Sequence, residues 1–250
     1  MIALAPCGAS CWCAMGAPMS FRPILASVAV ASLLLFTNAC GSSSSSSASA
    51  QLRILDASPQ QQSINLLLDN NSVQTGIVSQ SASAYTSEPA GSHTVQIEAS
   101  GTTTSLVTQN ITLNSGSSYT ILAVEPSFAS TSLTMSLLTD DNSAPASGDF
   151  KLRIINASPD FGGNVDAYIT APGAGISGAT PSVSNLAFQA GSSYQSLTAG
   201  SYEVYFSVAG QGVISVDSGP LTFTAGQVRT LVLLDNFGSG FTSALLADLN

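Results

Sequence analysis

The chain repeats itself, and this repetition constrains the fold more than any other feature. The segment LRILDASP at 52–59 returns as LRIINASP at 152–159, one hundred residues later. Further matches follow in the same order and pair 64–68 with 165–169, 90–92 with 199–201 and 111–124 with 221–234. Solenoid repeats are about 20–50 residues long, so this spacing indicates a tandem duplication of a whole domain.

Within each copy the apolar residues alternate with polar ones, as they do in β-strands. Leu52 and Ile54 flank Arg53, and Leu152 and Ile154 flank Arg153. Such short runs, separated by Gly, Ser, Asn and Pro, are typical of β-sandwiches, and about 100 residues is the size of an immunoglobulin-like domain. We therefore expect an all-β protein with two tandem antiparallel immunoglobulin-like β-sandwich domains, at 51–140 and 151–250, joined by a polar linker at 141–150.

The region before the first copy has the pattern of an export signal. Arg22 precedes an apolar run at 24–36, and Cys40 follows the small residue Ala39. The run is shorter than the roughly 20 apolar residues that a membrane-spanning helix needs, so we expect cleavage of a signal peptide at 1–39. A complete signal begins at Met19, which predicts that residues 1–18 are an extension of the gene model.

Cys40 is the expected site of lipid attachment. Its surroundings resemble the cysteine box of bacterial lipoproteins, although Thr37 and Asn38 depart from the usual residues, and conventional cleavage near Cys40 remains the alternative. After cleavage Cys40 would be the one remaining cysteine, which acylation explains. The serine-rich segment 40–50 predicts a flexible tether. The resemblance, with Gly41 after the cysteine, implies the outer membrane of a Gram-negative bacterium.

The cysteines before Cys40 lie close together in the sequence. A metal site formed by Cys7, Cys11 and Cys13 would lack a fourth ligand and a folded frame, so we do not expect one.

The repeated LR-I-x-[DN]-ASP box, with its later Ala-Gly-Ser turn, resembles domain of unknown function 4397. The resemblance implies an exported envelope protein, and the family brings no established catalytic residues. The second copy fits better, because it keeps an acidic turn and Asp166, where the first copy has Gln60 and Asn65.

Net charge excludes one class of partner. The formal charge is −9, and the basic residues beyond Cys40 are Arg53, Lys151, Arg153 and Arg229, which form no cluster in the sequence. Nucleic-acid binding needs clustered Lys and Arg to release counterions from phosphates, so we expect no nucleic-acid partner.

Candidate catalytic residues are few. Ser58 and Ser158 of the two ASP boxes could act as nucleophiles only beside a base. The single histidine, His93, aligns with Tyr202 of the second copy. A position exchanged for tyrosine fits a half-exposed strand residue better than a catalytic base. We therefore expect no catalytic site and no enzyme activity.

Binding sites are weakly indicated. Asp160, Asp166 and Asn164 carry oxygen ligands that suit Ca²⁺, but the first copy lacks both acids, and an ordinary Asx/Gly turn explains them as well. We expect no cofactor. The second copy is rich in aromatics, which we expect in the core unless they line a groove: Phe161, Tyr168, Tyr194, Tyr202, Tyr205 and Phe206.

Arg53 and Arg153 recur in register, which fits solvated positions, weak surface ion pairs or a shared role where the copies meet.

Together these patterns predict a non-enzymatic, membrane-anchored envelope lipoprotein that displays two β-sandwich domains for adhesion or surface interaction. The expected partners are the membrane, through the lipid, and an envelope protein or polysaccharide. The alternative is an extracytoplasmic ligand- or polymer-binding module, and a hydrolase is the weaker third interpretation.

Overall fold

The structure is a computed structural model that describes residues 48–127, 130–238 and 240–249. Predictions about the signal peptide, Met19, Cys40 and most of the tether lie outside the described residues. The described chain contains strands, turns and loops without a helix, and accordingly no helix that could cross a membrane. The all-β prediction is confirmed.

Each copy supplies its own set of strands. The first copy contains β1 (Ser49–Asp56), β2 (Ser63–Leu68), β3 (Asn71–Val78), β4 (Ser81–Ala82), β5 (Thr86–Pro89), β6 (Gly91–Ala99), β7 (Ser105–Leu113), β8 (Ser118–Val124) and β9 (Thr134–Asp140). The second copy contains β10 (Asp149–Ala157), β11 (Val165–Thr170), β12 (Val183–Leu186), β13 (Gln195–Thr198), β14 (Gly200–Val208), β15 (Val216–Phe223), β16 (Val228–Asp235) and β17 (Phe241–Leu249).

Each copy is a sandwich of two sheets. In the first copy an inner sheet, ordered β4/β5-β1-β8-β9, packs on an outer sheet, ordered β3-β2-β6-β7. In the second copy the inner sheet is β13-β10-β16-β17 and the outer sheet is β12-β11-β14-β15. The names inner and outer refer to the contact between copies, since the two inner sheets face each other.

The inner sheets contain a feature that the alternating pattern did not reveal. In each copy the central pair is parallel, β1 with β8 and β10 with β16, whereas all other pairs are antiparallel. These strands are covered on both faces. Ile121 of β8 points into the sandwich core and Leu122 into the contact between copies. Double coverage explains why β8 and β16 read as continuous apolar runs instead of alternating ones.

A third apolar cluster joins the two sandwiches. We call it the junction core, and it consists of buried residues from both inner sheets: Leu55, Ala57, Leu122, Val124, Ile155, Ala157, Val232 and Leu234. Because the copies share this core, the described residues form one compact unit. The sheets of the two copies therefore form four layers in the order outer, inner, inner, outer.

The shared junction core predicts cooperative unfolding of the two copies. Ile155→Ala should lower the free energy of unfolding by about 2–4 kcal/mol, because it leaves a cavity in a fully buried site. Differential scanning calorimetry of the full chain should show one transition that moves to lower temperature as a whole. Truncation of the exposed Leu245, Leu245→Ala, is the control and should change little. Two separate transitions, with one unaffected by Ile155→Ala, would contradict a shared core.

Candidate functional site

The two repeated arginines lie inside the protein, in the junction between the copies. Arg53 is 1% exposed and Arg153 is 2% exposed. The prediction that these arginines are solvated or form surface ion pairs is therefore wrong. The structure shows the shared role at the junction. Both side chains project from the face of the inner sheet that carries the junction core, because they alternate with Leu52, Ile54 and their counterparts in the sandwich cores.

Arg53 of the first copy is bound mainly by the second copy. Its guanidinium contacts the Asp248 carboxylate at 2.5 Å and donates to the Ala247 carbonyl at 3.0 Å. Within its own copy, Nε donates to the hydroxyl of Thr120 at 2.8 Å. Asp248 also accepts a hydrogen bond from Thr230, at 2.5 Å. The charge of Arg53 is therefore neutralised across the junction.

Arg153 makes the reciprocal contacts. It pairs with Asp140 of the first copy at 2.7 Å and donates to the Thr139 carbonyl at 3.2 Å. Its Nε donates to Thr230 at 3.2 Å, as Arg53 does to Thr120. Thr120 in turn donates to Asp140 at 2.6 Å.

Two tyrosines close these contacts into a ring. The Tyr85 hydroxyl donates to Asp140 at 2.7 Å, and the Tyr194 hydroxyl donates to Asp248 at 2.8 Å. Each ring also lies under a guanidinium, Tyr85 under Arg53 and Tyr194 under Arg153, both at 4.7 Å. Burial raises the pKa of both phenols. We call the cycle Arg53–Tyr85–Asp140–Arg153–Tyr194–Asp248 the junction ring. Its first three members belong to the first copy and its last three to the second, and the two ion pairs join the halves.

The junction ring is a structural device. Its charges are paired and its side chains bond to one another, so it offers little for a ligand to bind. Sequence reasoning missed Tyr85, Thr120 and Thr230 and named Tyr194 only as a core or groove aromatic, although a signal was present. Tyr85 and Tyr194 lie 109 positions apart, as do the Ala-Gly-Ser turns, so aligning the copies would have paired them.

The ASP boxes end β1 and β10 and turn the chain. Ser58 is buried. It donates two hydrogen bonds to Asp56, from Oγ at 2.6 Å and from its backbone N–H at 3.0 Å. Ser158 donates through Oγ to Asp235, and its N–H reaches Asn156 at 3.2 Å. The bonds to Asp56 and Asn156 are local turn-forming bonds of the Asx type, whereas the bond to Asp235 joins the second turn to the end of β16. The hydroxyls have no neighbouring histidine, so the geometry does not support either serine as a nucleophile.

His93 lies on β6, and both of its ring nitrogens form hydrogen bonds. Nδ1 is 2.7 Å from the Asp69 carboxylate, and Nε2 is 2.9 Å from the Pro89 carbonyl. Both partners only accept, so the geometry favours the doubly protonated imidazolium. Burial opposes the charge, but the bonds to Asp69 and Pro89 outweigh it and raise the pKa of His93. Tyr202 donates to the equivalent carbonyl of Thr198 at 2.8 Å. In both copies this side chain therefore bonds to the end of the preceding strand.

A polar depression surrounds His93 on the first copy. Its volume is about 410 Å³, and it is lined by residues of β6, β7 and the β2–β3 turn: Asp69, Ser92, His93, Thr94, Asn110, Ile111 and Thr112. Thr94 donates to the Asn110 side chain at 2.9 Å. The second copy has Tyr202 and Pro220 at the His93 and Asn110 positions. The depression is therefore built from residues that distinguish the first copy.

The suggested Ca²⁺ ligands are placed as turn-forming residues. Both oxygens of Asp166 accept backbone N–H groups, from Asn185 and Gly210, each at 2.8 Å. Asn164 donates to the Asn185 side chain at 2.9 Å, and Asp160 lies on an exposed turn. No cluster of three acidic, histidine or cysteine side chains with a metal-binding arrangement occurs among the described residues.

The aromatics of the second copy are divided among three places instead of lining one groove. Phe161, Tyr202 and Phe206 pack in or against the sandwich core, and Tyr194 belongs to the junction ring. Tyr168 and Tyr205 are each 5% exposed and pair across β11 and β14 on the far face of the outer sheet.

A loop at 171–182 explains the burial of that face. It replaces the two-residue Asp69–Asn70 turn of the first copy. The Gly173 N–H donates to Glu203 at 2.5 Å, and the loop also reaches the Tyr205 hydroxyl through Gly175. This closed loop leaves the two tyrosines without the open surface that stacking on a ligand would need.

The junction ring predicts unequal effects for two ion pairs. Arg153→Leu leaves Asp140 buried without its cation and should cost about 3–5 kcal/mol of unfolding free energy, measured by chemical denaturation. Adding Asp140→Leu should restore part of the loss, because it removes the unpaired charge. Lys151→Ala breaks the exposed pair with Asp141, 2.6 Å long, and should cost less than about 1 kcal/mol. Equal losses for Arg153→Leu and Lys151→Ala would show that the ring is not the stabilising contact described.

Comparison with known proteins gives one family-model match over part of the chain and distant likenesses to solved structures. No curated protein gives a significant match. Among solved structures, a family 26 carbohydrate-binding module of Eubacterium rectale Amy13K in complex with maltoheptaose has a TM-score of 0.26 and 9% identity, over 81% of this chain and 98% of that chain. The Bacillus anthracis TIE protein has a TM-score of 0.25 and 12% identity, over 79% and 34%. Family 41 carbohydrate-binding modules from streptococcal virulence factors have a TM-score of 0.23 and 12% identity, over 73% and 93%.

Likeness at these TM-scores establishes neither a shared topology nor a shared ligand. The family match is more direct. The family model described as Domain of unknown function (DUF4397) matches residues 50–168, a span that runs from β1 through both arginine boxes to β11. The resemblance expected from the two ASP boxes is confirmed, since residues 50–168 are similar to domain of unknown function 4397.

Proposed function

We propose that this chain is a non-enzymatic lipoprotein of the bacterial envelope, anchored through Cys40 and displaying one rigid two-copy β-unit for surface interaction. The observation that carries the proposal is the junction, where a buried ring and a shared core fuse the sandwiches into a single compact body. A rigid unit at the end of a serine-rich segment suits presentation of a surface at a distance from a membrane.

The residues available for catalysis support the non-enzymatic part of the proposal. Ser58 and Ser158 are buried in turns and bond to carboxylates, and both nitrogens of His93 contact acceptors. A general base needs a free nitrogen lone pair within reach of its target. These side chains therefore offer no activated nucleophile for the hydrolase interpretation.

Anchoring is tested at Cys40. In a bacterial host, Cys40→Ser should release the protein from membrane fractions and abolish labelling by a clickable palmitate analogue, since the thiol is the site of acylation. Ser43→Ala is the matched control in the same segment and should keep both properties. Unchanged membrane association and labelling of Cys40→Ser would refute the lipoprotein interpretation.

A second candidate function, polysaccharide binding, is favoured by the depression on the first copy. A recess of about 410 Å³ lined by carboxylate, amide, hydroxyl and imidazole groups has a volume within the range of ligand sites and the donors and acceptors that sugar hydroxyls require. Its residues come from β6, β7 and one tight turn, so the recess is preformed. The proposed ligand class is an uncharged or weakly charged glycan.

The depression predicts which variants would weaken glycan binding. If the full chain, purified in detergent, retains an envelope polysaccharide, Asn110→Ala with Thr112→Ala should reduce the affinity at least tenfold, because both side chains line the recess. Thr222→Ala, at the position of Thr112 in the second copy, should bind as the wild type does. Equal binding by all variants, measured by isothermal titration calorimetry, would exclude the depression as the site.

A further inference from the structure

Three carboxyl groups gather where the central strands end. Asp56 ends β1, Asp235 ends β16, and Glu125 follows β8 directly. Val124 and Leu234, the residues before Glu125 and Asp235, belong to the junction core. The three acids are buried, with exposed fractions of 0%, 0% and 3% for Asp56, Glu125 and Asp235. This carboxyl cluster therefore draws on both copies at one end of the junction.

Each of the three acids has one oxygen bonded and one oxygen unpartnered. The bonded oxygens accept from Ser58 at 2.6 Å, from the Gln60 N–H at 3.1 Å and from the Ser158 hydroxyl. The other oxygens are buried and have no hydrogen-bond partner among the described residues: Asp56 Oδ2, Glu125 Oε2 and Asp235 Oδ2. A buried anionic oxygen without a donor is costly, and a proton bound there removes most of that cost.

No basic side chain of the described residues compensates the cluster. Arg53 and Arg153 pair with Asp248 and Asp140 in the junction ring, and Lys151 pairs with Asp141. The Arg229 guanidinium donates to the carbonyls of residues 228 and 249.

The remaining charged neighbour of the cluster is also acidic. Asp160, on the turn after β10, adds repulsion to Asp235. Glu125 after β8 therefore faces Asp56 from β1 and Asp235 from β16. Asp235 also faces Asp160, whose backbone N–H donates to it.

The energetics of ionisation follow from this environment. Burial raises the pKa of Asp56 to about 6. Burial, with repulsion from Asp56 and Asp235, raises the pKa of Glu125 to about 7. Burial and the charge of Asp160 raise the pKa of Asp235 as well.

We propose that Asp56, Glu125 and Asp235 form a proton-binding site that links pH to the stability of the junction. The folded state holds protons that the unfolded chain has already released, so the free energy of unfolding falls as the pH rises. The stabilisation is complete below the ordinary carboxyl pKa values of 3.8 and 4.5 and is lost as the pH passes through about 6 and about 7. In acid the two copies are held tightly, and in neutral or alkaline medium their junction is weakened.

The second copy contains the natural comparison for this site. Asn156 occupies the position of Asp56, accepts the Ser158 N–H at 3.2 Å and donates to the Leu186 carbonyl at 3.2 Å. An amide therefore forms the same turn and has no proton to release. Asp56→Asn places this amide in the first copy, and the variant protein is expected to fold.

The test is the pH dependence of melting of the full chain in detergent, for wild type, Asp56→Asn, Glu125→Gln and the double variant. From pH 5 to pH 8 the wild-type melting temperature should fall by about 5 °C or more, and the double variant should lose less than half as much. Glu98→Gln, which removes a carboxyl from the outer sheet, should behave as the wild type does. His93, whose pKa is raised by its bonds to Asp69 and Pro89 against the effect of burial, is present in every variant, so differences between variants isolate the cluster.

Parallel profiles for wild type and double variant would overturn the proposal. A second outcome would also overturn it. If 1 mM CaCl₂ at pH 8 restored the melting temperature of the wild type but not that of the double variant, the cluster would be a cation site. Hydrogen exchange of the wild type needs no substitution and gives a second measurement. Protection of β8 and β16, corrected for intrinsic exchange, should fall more between pH 5 and pH 8 than protection of β6 and β14, and an equal fall would count against the proposal.

Discussion

The structure depends on the burial of two guanidinium groups between the inner sheets. A buried arginine requires a carboxylate, and here each copy supplies the carboxylate for the arginine of the other. A single copy would lack these ion-pair partners, and its inner face, with the apolar residues of the junction core, would be open to solvent. The two copies are bound to each other by this mutual requirement as much as by the apolar residues of the junction core. Duplication of the domain is thus part of how each copy becomes stable.

The two copies agree at the junction and differ on their outer sheets. The arginines, threonines and tyrosines of the ring occur in both copies, and Gln80 and Gln189 cross the junction from equivalent turns. On the outer sheets, His93 faces a polar depression where Tyr202 packs on core aromatics. The outer surfaces therefore differ between the copies, while the shared residues hold these surfaces in a fixed relation.

The buried charges of the junction are of two kinds with opposite consequences. In the junction ring each guanidinium has a carboxylate as its ion-pair partner. In the carboxyl cluster the acids lie together without a cation, so their protonation is the available way to lower the cost of burial. One interface therefore combines buried ion pairs with a cluster of acids whose contribution depends on protonation.

The sequence by itself determined the duplication, the all-β class and the position of the turns, because these follow from local periodicity and from residues such as Pro59 and Pro159 that end strands. It also suggested the family through the ASP boxes. Alternation could not show that β1 and β8 run parallel, nor that the outward-facing Arg53 and Arg153 would be covered. Which face of a strand meets solvent depends on what packs on it. Here that partner is another copy about 100 residues away, so only the tertiary structure decided that the repeated arginines, tyrosines and acids form one buried junction.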